Sequence, residues 1–445
     1  MQTKVFSSEL KIGMFVSSLD RPWIDTPFMF QGFLIETDDD ISQLQKYCEF
    51  VHVDWERSPM QQTYPSTNRQ GLSVTKATDN KSYLSSASQT SSTIEKSQLR
   101  SKKYAIPAVS NKRPAFIPKH IELSVYVDAS PVEEEIAPAV KAHTHANDVL
   151  KNLVQDIQSN KRFAIEETGI LIEEVVSSMV RNPDAMMWVT RLRKQDEVVY
   201  GHGLQVAVYL VALGRHLGLP KLFLDQLCTI GLLLDIGKVK LPKELLLKKG
   251  RLSTEEFETI KSHVQLAIDI LKETPDLHPD VLQGIAQHHE RENGSGYPAG
   301  LSGNEIGLFG RMSAIVDSFS ALTTPRTYAE AMPAYEALRD LSNFNPGLYQ
   351  ATMIEQFIQA IGAFPVGSMV ELSSGEVAVV ISHSKVRRLK PRVLIIADSN
   401  KLPSPQPATL DLLYQPLIVN QEERYIQRGL PTGAFGLDAR EFYIS

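Results

Sequence analysis

His288-His289-Glu290-Arg291-Glu292-Asn293-Gly294-Ser295-Gly296-Tyr297-Pro298 is the stretch that decides the fold of this chain. Two adjacent imidazoles close an apolar helix pattern that begins near Asp280, and a glycine-rich loop follows at once. Consecutive helix residues do not share a face, so the pair can converge on one point only by using the chain end. A core tolerates such a pair poorly. The arrangement becomes intelligible if the histidines hold a metal and the loop passes close to a phosphate ester. Working outward, Asp235-Ile236-Gly237-Lys238, His263 and His202 lie upstream, and Asp317 lies downstream. This ordered set of His and Asp predicts a metal centre with one gap, Leu234, directly before Asp235.

The helix patterns spread these residues over five elements. His202 starts one helix and Asp235 ends the next. Ser253-Thr254-Glu255-Glu256 has capping-box spacing for a helix running to about Leu271, with His263 a turn or two inside it. His288 and His289 end a fourth helix, and Asp317 lies midway along a fifth, Arg311 to Leu322. Hydrolysis of a phosphodiester needs polarised phosphoryl oxygens and a water made nucleophilic near neutral pH, which two bridged metals supply together. Imidazole and carboxylate ligands suit Fe, Mn or Zn better than Ca.

From about Asp196 to Phe364 the chain resembles an HD-GYP domain, a branch of the HD superfamily of metal-dependent phosphohydrolases. The resemblance rests on Tyr200-Gly201-His202, Leu234-Asp235-Ile236-Gly237-Lys238, Gly250-Arg251-Leu252-Ser253 and Ser262-His263. It continues through His288-His289-Glu290-Arg291, Gly294-Ser295-Gly296-Tyr297-Pro298, Arg311, Asp317, Ala321-Leu322-Thr323 and Arg326. Arg21-Pro22-Trp23 and Phe30-Gln31-Gly32-Phe33 are similar to the uncharacterised domain that often precedes HD-GYP domains.

The resemblance implies hydrolysis of the bacterial second messenger cyclic di-GMP with one or two divalent transition metals, Fe or Mn. It implies that Asp235 bridges the metals, that His263, His288 and His289 complete one site, and that His202 and Asp317 serve the other. Lys238 and Arg326 match positions that contact substrate phosphates or bases, Lys238 and Asp235 being the catalytic pair, while Tyr297 and Pro298 shape the pocket mouth. Three departures stand out. Leu234 replaces the name-giving histidine, Asn293 stands where Asp is usual, and Ser320 replaces a carboxylate. Leu234 can neither ligate nor hydrogen-bond. It favours an alternative, a catalytically impaired protein that senses cyclic di-GMP or docks signalling partners such as diguanylate cyclases.

Composition bounds the rest. The 445 residues suggest two to four domains, and 42% hydrophobic with 22% charged residues is ordinary for a globular protein. A net charge of −6 argues against general nucleic-acid binding, yet a metal supplies local positive charge for an anionic substrate. Only Cys48 and Cys228 are present, which excludes a disulfide framework; Cys228, in an apolar run, reads as a small buried hydrophobe. The first thirty residues lack a signal peptide's apolar stretch, and no run approaches a membrane span. The expected location is cytoplasmic, and a homodimer is compatible with the sequence.

The predicted fold class is mainly α: an all-helical HD-domain core, a small α+β N-terminal module and a β-rich C-terminal extension. The expected divisions are the module over 1–56, a flexible polar linker over 57–112, a helical connector over 113–195, the HD-GYP domain over 196–364 and the extension over 365–445. In the module, Ile12–Val16, Phe28–Ile35 and Phe50–Asp54 read as strands, with Asp38-Asp39-Asp40 capping a short helix. The linker's Ser, Thr, Gln, Asn and Lys bury too little apolar surface to offset ordering entropy. Helical periodicity resumes over Glu133–Asn160, with a break expected at Pro138, and over Ala164–Val180. Ser368–Ile381 reads as a hairpin turning at Ser374-Gly375, Arg392–Ile396 as a strand, and Thr409–Ser445 is not placed. Singly, His143, His145, His216, His278 and His383 are ordinary surface or core residues, and no function is assigned to them.

Overall fold

A computed structural model describes residues 2–20, 33–35, 38–55, 58, 113–159, 165–192, 198–248, 250–272, 274, 277–324, 331–343, 347–383, 389–414 and 424–442. The chain divides into two compact units, one before residue 113 and one from there onward. The predicted linker lies almost wholly outside the described residues, as do Arg326 and most of the Phe28–Ile35 stretch.

The first unit is an antiparallel sheet in the order β1-β4-β2-β3, formed by β1 (Gln2–Phe6), β2 (Phe15–Leu19), β3 (Phe33–Leu34) and β4 (Phe50–Asp54), with helix α1 (Asp38–Tyr47). The predicted strand at Phe50–Asp54 is present, and Val51 and Val53 alternate into the core. The predicted strand at Ile12 begins later, at Phe15, because the chain turns at Gly13 in a left-handed conformation, φ 92°.

The second unit is mainly helical, as expected: α2 (Val132–Gln158), α3 (Ile165–Arg181), α4 (Pro183–Leu192), α5 (Val198–His216), α6 (Lys221–Leu233) and α7 (Lys243–Leu246) come first. They are followed by α8 (Thr254–Lys261), α9 (His263–Leu271), α10 (Pro279–Gln287), α11 (Leu308–Thr323), α12 (Ala334–Asn343) and α13 (Ala351–Ile361). Pro138 does not break α2. The helix runs through it because Ala139, Ala142, Ala146, Val149, Leu150 and Leu153 bury one continuous face. At roughly 1.5–3 kcal/mol for each large apolar side chain buried, that face outweighs one lost backbone hydrogen bond.

The single helix expected over Ser253–Leu271 is two. Its capping box is present, with Glu256 N–H donating to Ser253 Oγ at 3.2 Å and Ser253 N–H donating to the Glu256 carboxylate at 2.7 Å. The break comes at Ser262, whose N–H is shared between the Glu258 and Thr259 carbonyls, and whose hydroxyl donates to Thr259 O. His263 is therefore the first residue of α9, not an interior one.

Helices α5 and α6 cross at backbone contact. A Cβ on Gly231 would lie 2.3 Å from Ala207 Cα, and this intimacy sets the start of α5 beside the end of α6. Gly237 plays the same part in the 3-10 turn Ile236–Lys240, where a Cβ would sit 1.9 Å from the His263 carbonyl oxygen. Cys228 is fully buried, as predicted, and burial pushes its thiol pKa up.

The C-terminal part is an antiparallel sheet of β5 (Met369–Leu372), β6 (Val377–Ser382), β7 (Arg392–Ala397), β8 (Pro403–Asp411) and β9 (Ile426–Leu430), in the order β8-β7-β6-β5-β9. The hairpin turns where expected, with Gly375 at φ +83°. The unplaced stretch holds β9 and the end of β8. Pro403, Pro405 and Pro407 hide β8 from a periodicity reading, but prolines spaced by two withhold N–H groups on one side only, which an edge strand leaves to solvent. Tyr335 stacks on Phe364 at 5.2 Å, and Asp184 accepts from the His383 backbone N–H, so the sheet is packed onto the helices. Among the described residues no helix is long and apolar enough to cross a membrane.

Candidate metal centre

Five elements bring the predicted residues together. Asp235 follows α6 and precedes the 3-10 turn, His263 opens α9, His288 and His289 end α10, Asp317 lies in α11, and His202 lies in the first turns of α5. All but His289 are buried to within a few per cent, and His289 keeps 16% of its side chain exposed. One ligand atom from each of His263, His288 and His289 falls within 4.8 Å of the other two. His202 does not start its helix, as the sequence reading had it, but sits one turn in.

Backbone carbonyls decide which imidazole nitrogens are free. His263 Nδ1 donates to Ile260 O at 2.7 Å, and His288 Nδ1 donates to Ile285 O at 2.6 Å. Burial pushes the His263 pKa down to about 4 despite nearby Asp235, and burial also lowers His288 and, strongly, His289. Neutral rings protonated on Nδ1 leave bare lone pairs on both Nε2 atoms, which face each other at 3.4 Å. Two acceptors at that distance repel unless a cation lies between them. Two ligands bonded at about 2.1 Å and set near the tetrahedral angle also stand about 3.4 Å apart.

Asp235 supplies the second sign. Its Oδ1 is buried and has no hydrogen-bond donor among the described residues, although His263 Nε2 lies only 3.4 Å away. That nitrogen carries the lone pair, so the contact is acceptor against acceptor. An unpartnered buried carboxylate oxygen costs about 1–3 kcal/mol or more. Its other oxygen takes the Lys238 ammonium at 2.6 Å. Burial alone would raise the Asp235 carboxyl, but the Lys238 ammonium, the largest of the opposing charges, holds it well below the usual carboxylate range. Asp317 is likewise held down against burial, first by the hydrogen bond that His202 Nε2 donates at 2.8 Å. The donor set and the orphaned oxygen both fit a divalent transition metal.

The glycine-rich loop was expected to approach a phosphate. The contact that demands glycine is internal: a Cβ on Gly296 would stand 2.5 Å from His289 O, Glu290 Cα and Arg291 N. The loop thus folds directly onto the backbone carrying the histidine pair, and Tyr297 lies tilted over the His289 ring at 4.6 Å. Pro298 is exposed at the loop surface. Glu290 is the loop's anchor. Its carboxylate is buried and accepts from Ala299 N–H at 2.7 Å and Leu301 N–H at 2.9 Å. Its position between the histidines and the glycines was the only signal for this. Glu290→Gln replaces one acceptor with a competing donor, so amide exchange at Ala299 and Leu301 should accelerate by roughly 1–3 kcal/mol of lost protection; unchanged exchange would refute the anchor.

Leu234 is fully buried, so the gap next to Asp235 is filled by core. Ser320, the other departure, donates to Gln205 Oε1 at 2.9 Å and lies 3.3 Å from His202 Nδ1. Asn293 accepts from Ser295 N–H at 3.0 Å, turning the loop.

The depressed imidazoles give a pH dependence with a definite sign. His263 is near 4 in the fold, against about 6.5 for a free imidazole. The unfolded chain therefore binds more protons between those values, so stability rises with pH across that window. Metal-free protein should lose roughly 3 kcal/mol from His263 as pH falls through it, and the carboxylates add to the loss only at lower pH. A urea midpoint that stays flat from pH 7 to 5 contradicts burial of neutral imidazoles.

A family model described as HD domain matches residues 187–349, and one described as a domain of unknown function, DUF3391, matches residues 2–168. A cyclic di-GMP phosphodiesterase of Pseudomonas aeruginosa is 28% identical over 408 residues, covering 91% of this chain and 88% of that protein. A cyclic di-GMP phosphodiesterase of Thermotoga maritima is 30% identical over 222 residues, 49% of this chain and 58% of its own. A 3'3'-cGAMP-specific phosphodiesterase of Vibrio cholerae is 36% identical over 130 residues, 29% of this chain and 25% of its own.

Proposed function

We propose that this chain is an HD-GYP domain protein of the HD superfamily and that it is a metal-dependent phosphodiesterase hydrolysing cyclic di-GMP. The observation that carries the reading is the convergence of His263, His288 and His289, the first two with bare Nε2 atoms, where His263 Nε2 lies 3.4 Å from an Asp235 oxygen that has no donor among the described residues. A divalent transition metal bound there, Fe or Mn by ligand type, supplies Lewis-acid polarisation of the phosphate and a water acidic enough to attack it.

The chain's own residues do the positioning. His263, His288, His289, Asp235 and Asp317 hold the ion, with His202 in the same cluster. Lys238 keeps a quarter of its side chain exposed beside Asp235, so its ammonium can offset phosphate charge as the leaving oxygen departs. Tyr297 covers His289 and, with Pro298, borders the mouth through which a dinucleotide enters. Arg326 is proposed as a further contact to phosphate or base; it lies outside the described residues. A cytoplasmic location and signalling partners such as diguanylate cyclases would follow from this substrate.

Burial of Leu234 favours a second reading, a protein that binds cyclic di-GMP without hydrolysing it. Anaerobic turnover assays with Mn(II) or Fe(II) decide between them, using cyclic di-GMP and 3'3'-cGAMP as substrates and Leu234→His in parallel. The proposal expects wild-type turnover of cyclic di-GMP. Turnover confined to Leu234→His, with nucleotide still bound by the wild type, would establish the second reading.

A further inference from the structure

We infer that this centre takes one metal ion, and that His202 and Lys238 clamp the two carboxylates facing it instead of serving a second ion. The inference rests on the metal centre proposed above.

The two acids are arranged alike. Asp235 turns Oδ1 toward His263 Nε2, at 3.4 Å, and gives Oδ2 to the Lys238 ammonium at 2.6 Å. Asp317 turns Oδ2 toward His289 Nδ1, at 3.9 Å, and gives Oδ1 to His202 Nε2 at 2.8 Å. Each carboxylate therefore offers one oxygen to the triad and has the other held by a hydrogen-bond donor from behind. The triad of His263, His288 and His289, with these two oxygens turned toward it, offers up to five donors to one ion.

On the far side little remains. Its atoms are His202 Nε2, Asp235 Oδ2 and Asp317 Oδ1, and each is already engaged in the ion pair or hydrogen bond just described. The neighbouring residue, Leu234, is fully buried and has no ligand atom. Behind His202 stands Ser320, whose hydroxyl hydrogen goes to Gln205 Oε1 at 2.9 Å, so His202 Nδ1, 3.3 Å from that oxygen, meets a hydroxyl and not an acid. Charge points the same way. Two buried carboxylates against one ammonium leave a single negative charge, which one dication already overcompensates. A second would add two more positive charges a few ångströms from the first, beside Lys238, in a poorly screened interior. Donors that hold the outer oxygens of metal-binding carboxylates commonly set affinity without touching the ion.

The test uses the full chain, stripped of metal and reconstituted anaerobically with excess Mn(II), with bound metal counted by mass spectrometry and spins read by EPR. One Mn per chain with an isolated-ion hyperfine signal is expected. His202→Gln keeps a donor for Asp317 and should retain one Mn at near wild-type affinity; His202→Leu should retain one at affinity lowered roughly tenfold to a hundredfold, with unfolding still cooperative, and Lys238→Met likewise. Two Mn per chain, an exchange-coupled signal, or a drop from two to one in His202→Gln would overturn the inference. Cyclic di-GMP turnover on the same samples separates the claims. Two ions with turnover sink only the single-ion inference, and one ion without turnover sinks only the hydrolase reading.

Discussion

Asp235→Asn should abolish most of the activity: cyclic di-GMP turnover is expected to fall about a thousandfold or more, equivalent to ~4 kcal/mol of lost transition-state stabilisation. The side chain keeps its size and loses its charge. Its Oδ1 is buried with no donor among the described residues, and Oδ2 is the anchor of Lys238, so both functions of the acid go at once. Metal retained after desalting should drop in step with activity, while thermal unfolding stays cooperative. A variant that keeps its metal and more than a tenth of wild-type turnover would show that Asp235 is not central.

Gly237→Ala should be strongly damaging, with the closest backbone clash among the described glycines. The added Cβ would meet His263 O at 1.9 Å and Ala267 N at 2.6 Å, both backbone atoms of α9 that cannot rotate aside. Relief requires the 3-10 turn and α9 to separate, which parts Asp235 from His263. Overpacking of this kind costs about 4 kcal/mol or more, and metal binding should fail with it. Gly169→Ala in α3 is the control: nothing lies within 4 Å of its Cβ, and a helical alanine should gain up to about 1 kcal/mol. Urea unfolding of the two variants reads both effects. Equal midpoints would mean that the contact at Gly237 is soft.

Much of this was legible from residues alone, where the signal was local. The capping box at Ser253, the strand at Phe50–Asp54 and the turn at Gly375 are short-range chemistry, and each is where the sequence puts it. The histidine pair at the end of α10 needs its neighbours to be interpreted, and the described residues read as metal ligands lie close together. What escaped was decided by tertiary contact. The break at Ser262 carries no proline or glycine, and only the packing of α9 onto the turn at Gly237 shows why His263 must begin a helix. Pro138 suggested a break because its cost is local and visible, whereas the buried face of α2 that overrides it is not. At Gly296 the close approach that requires glycine is to the His289 backbone, a tertiary contact that spacing does not show. Glu290 looked like one acid in a charged run until its carboxylate was seen capping two loop amides.

X-ray absorption at the metal edge of the reconstituted chain probes the central claim most directly, because it reads the ligands themselves. The arrangement of His263, His288 and His289 predicts scattering from three imidazoles with oxygen ligands completing the shell, and loss of one imidazole in His288→Ala. A metal surrounded by oxygen alone, with a spectrum indifferent to His288, would contradict the account.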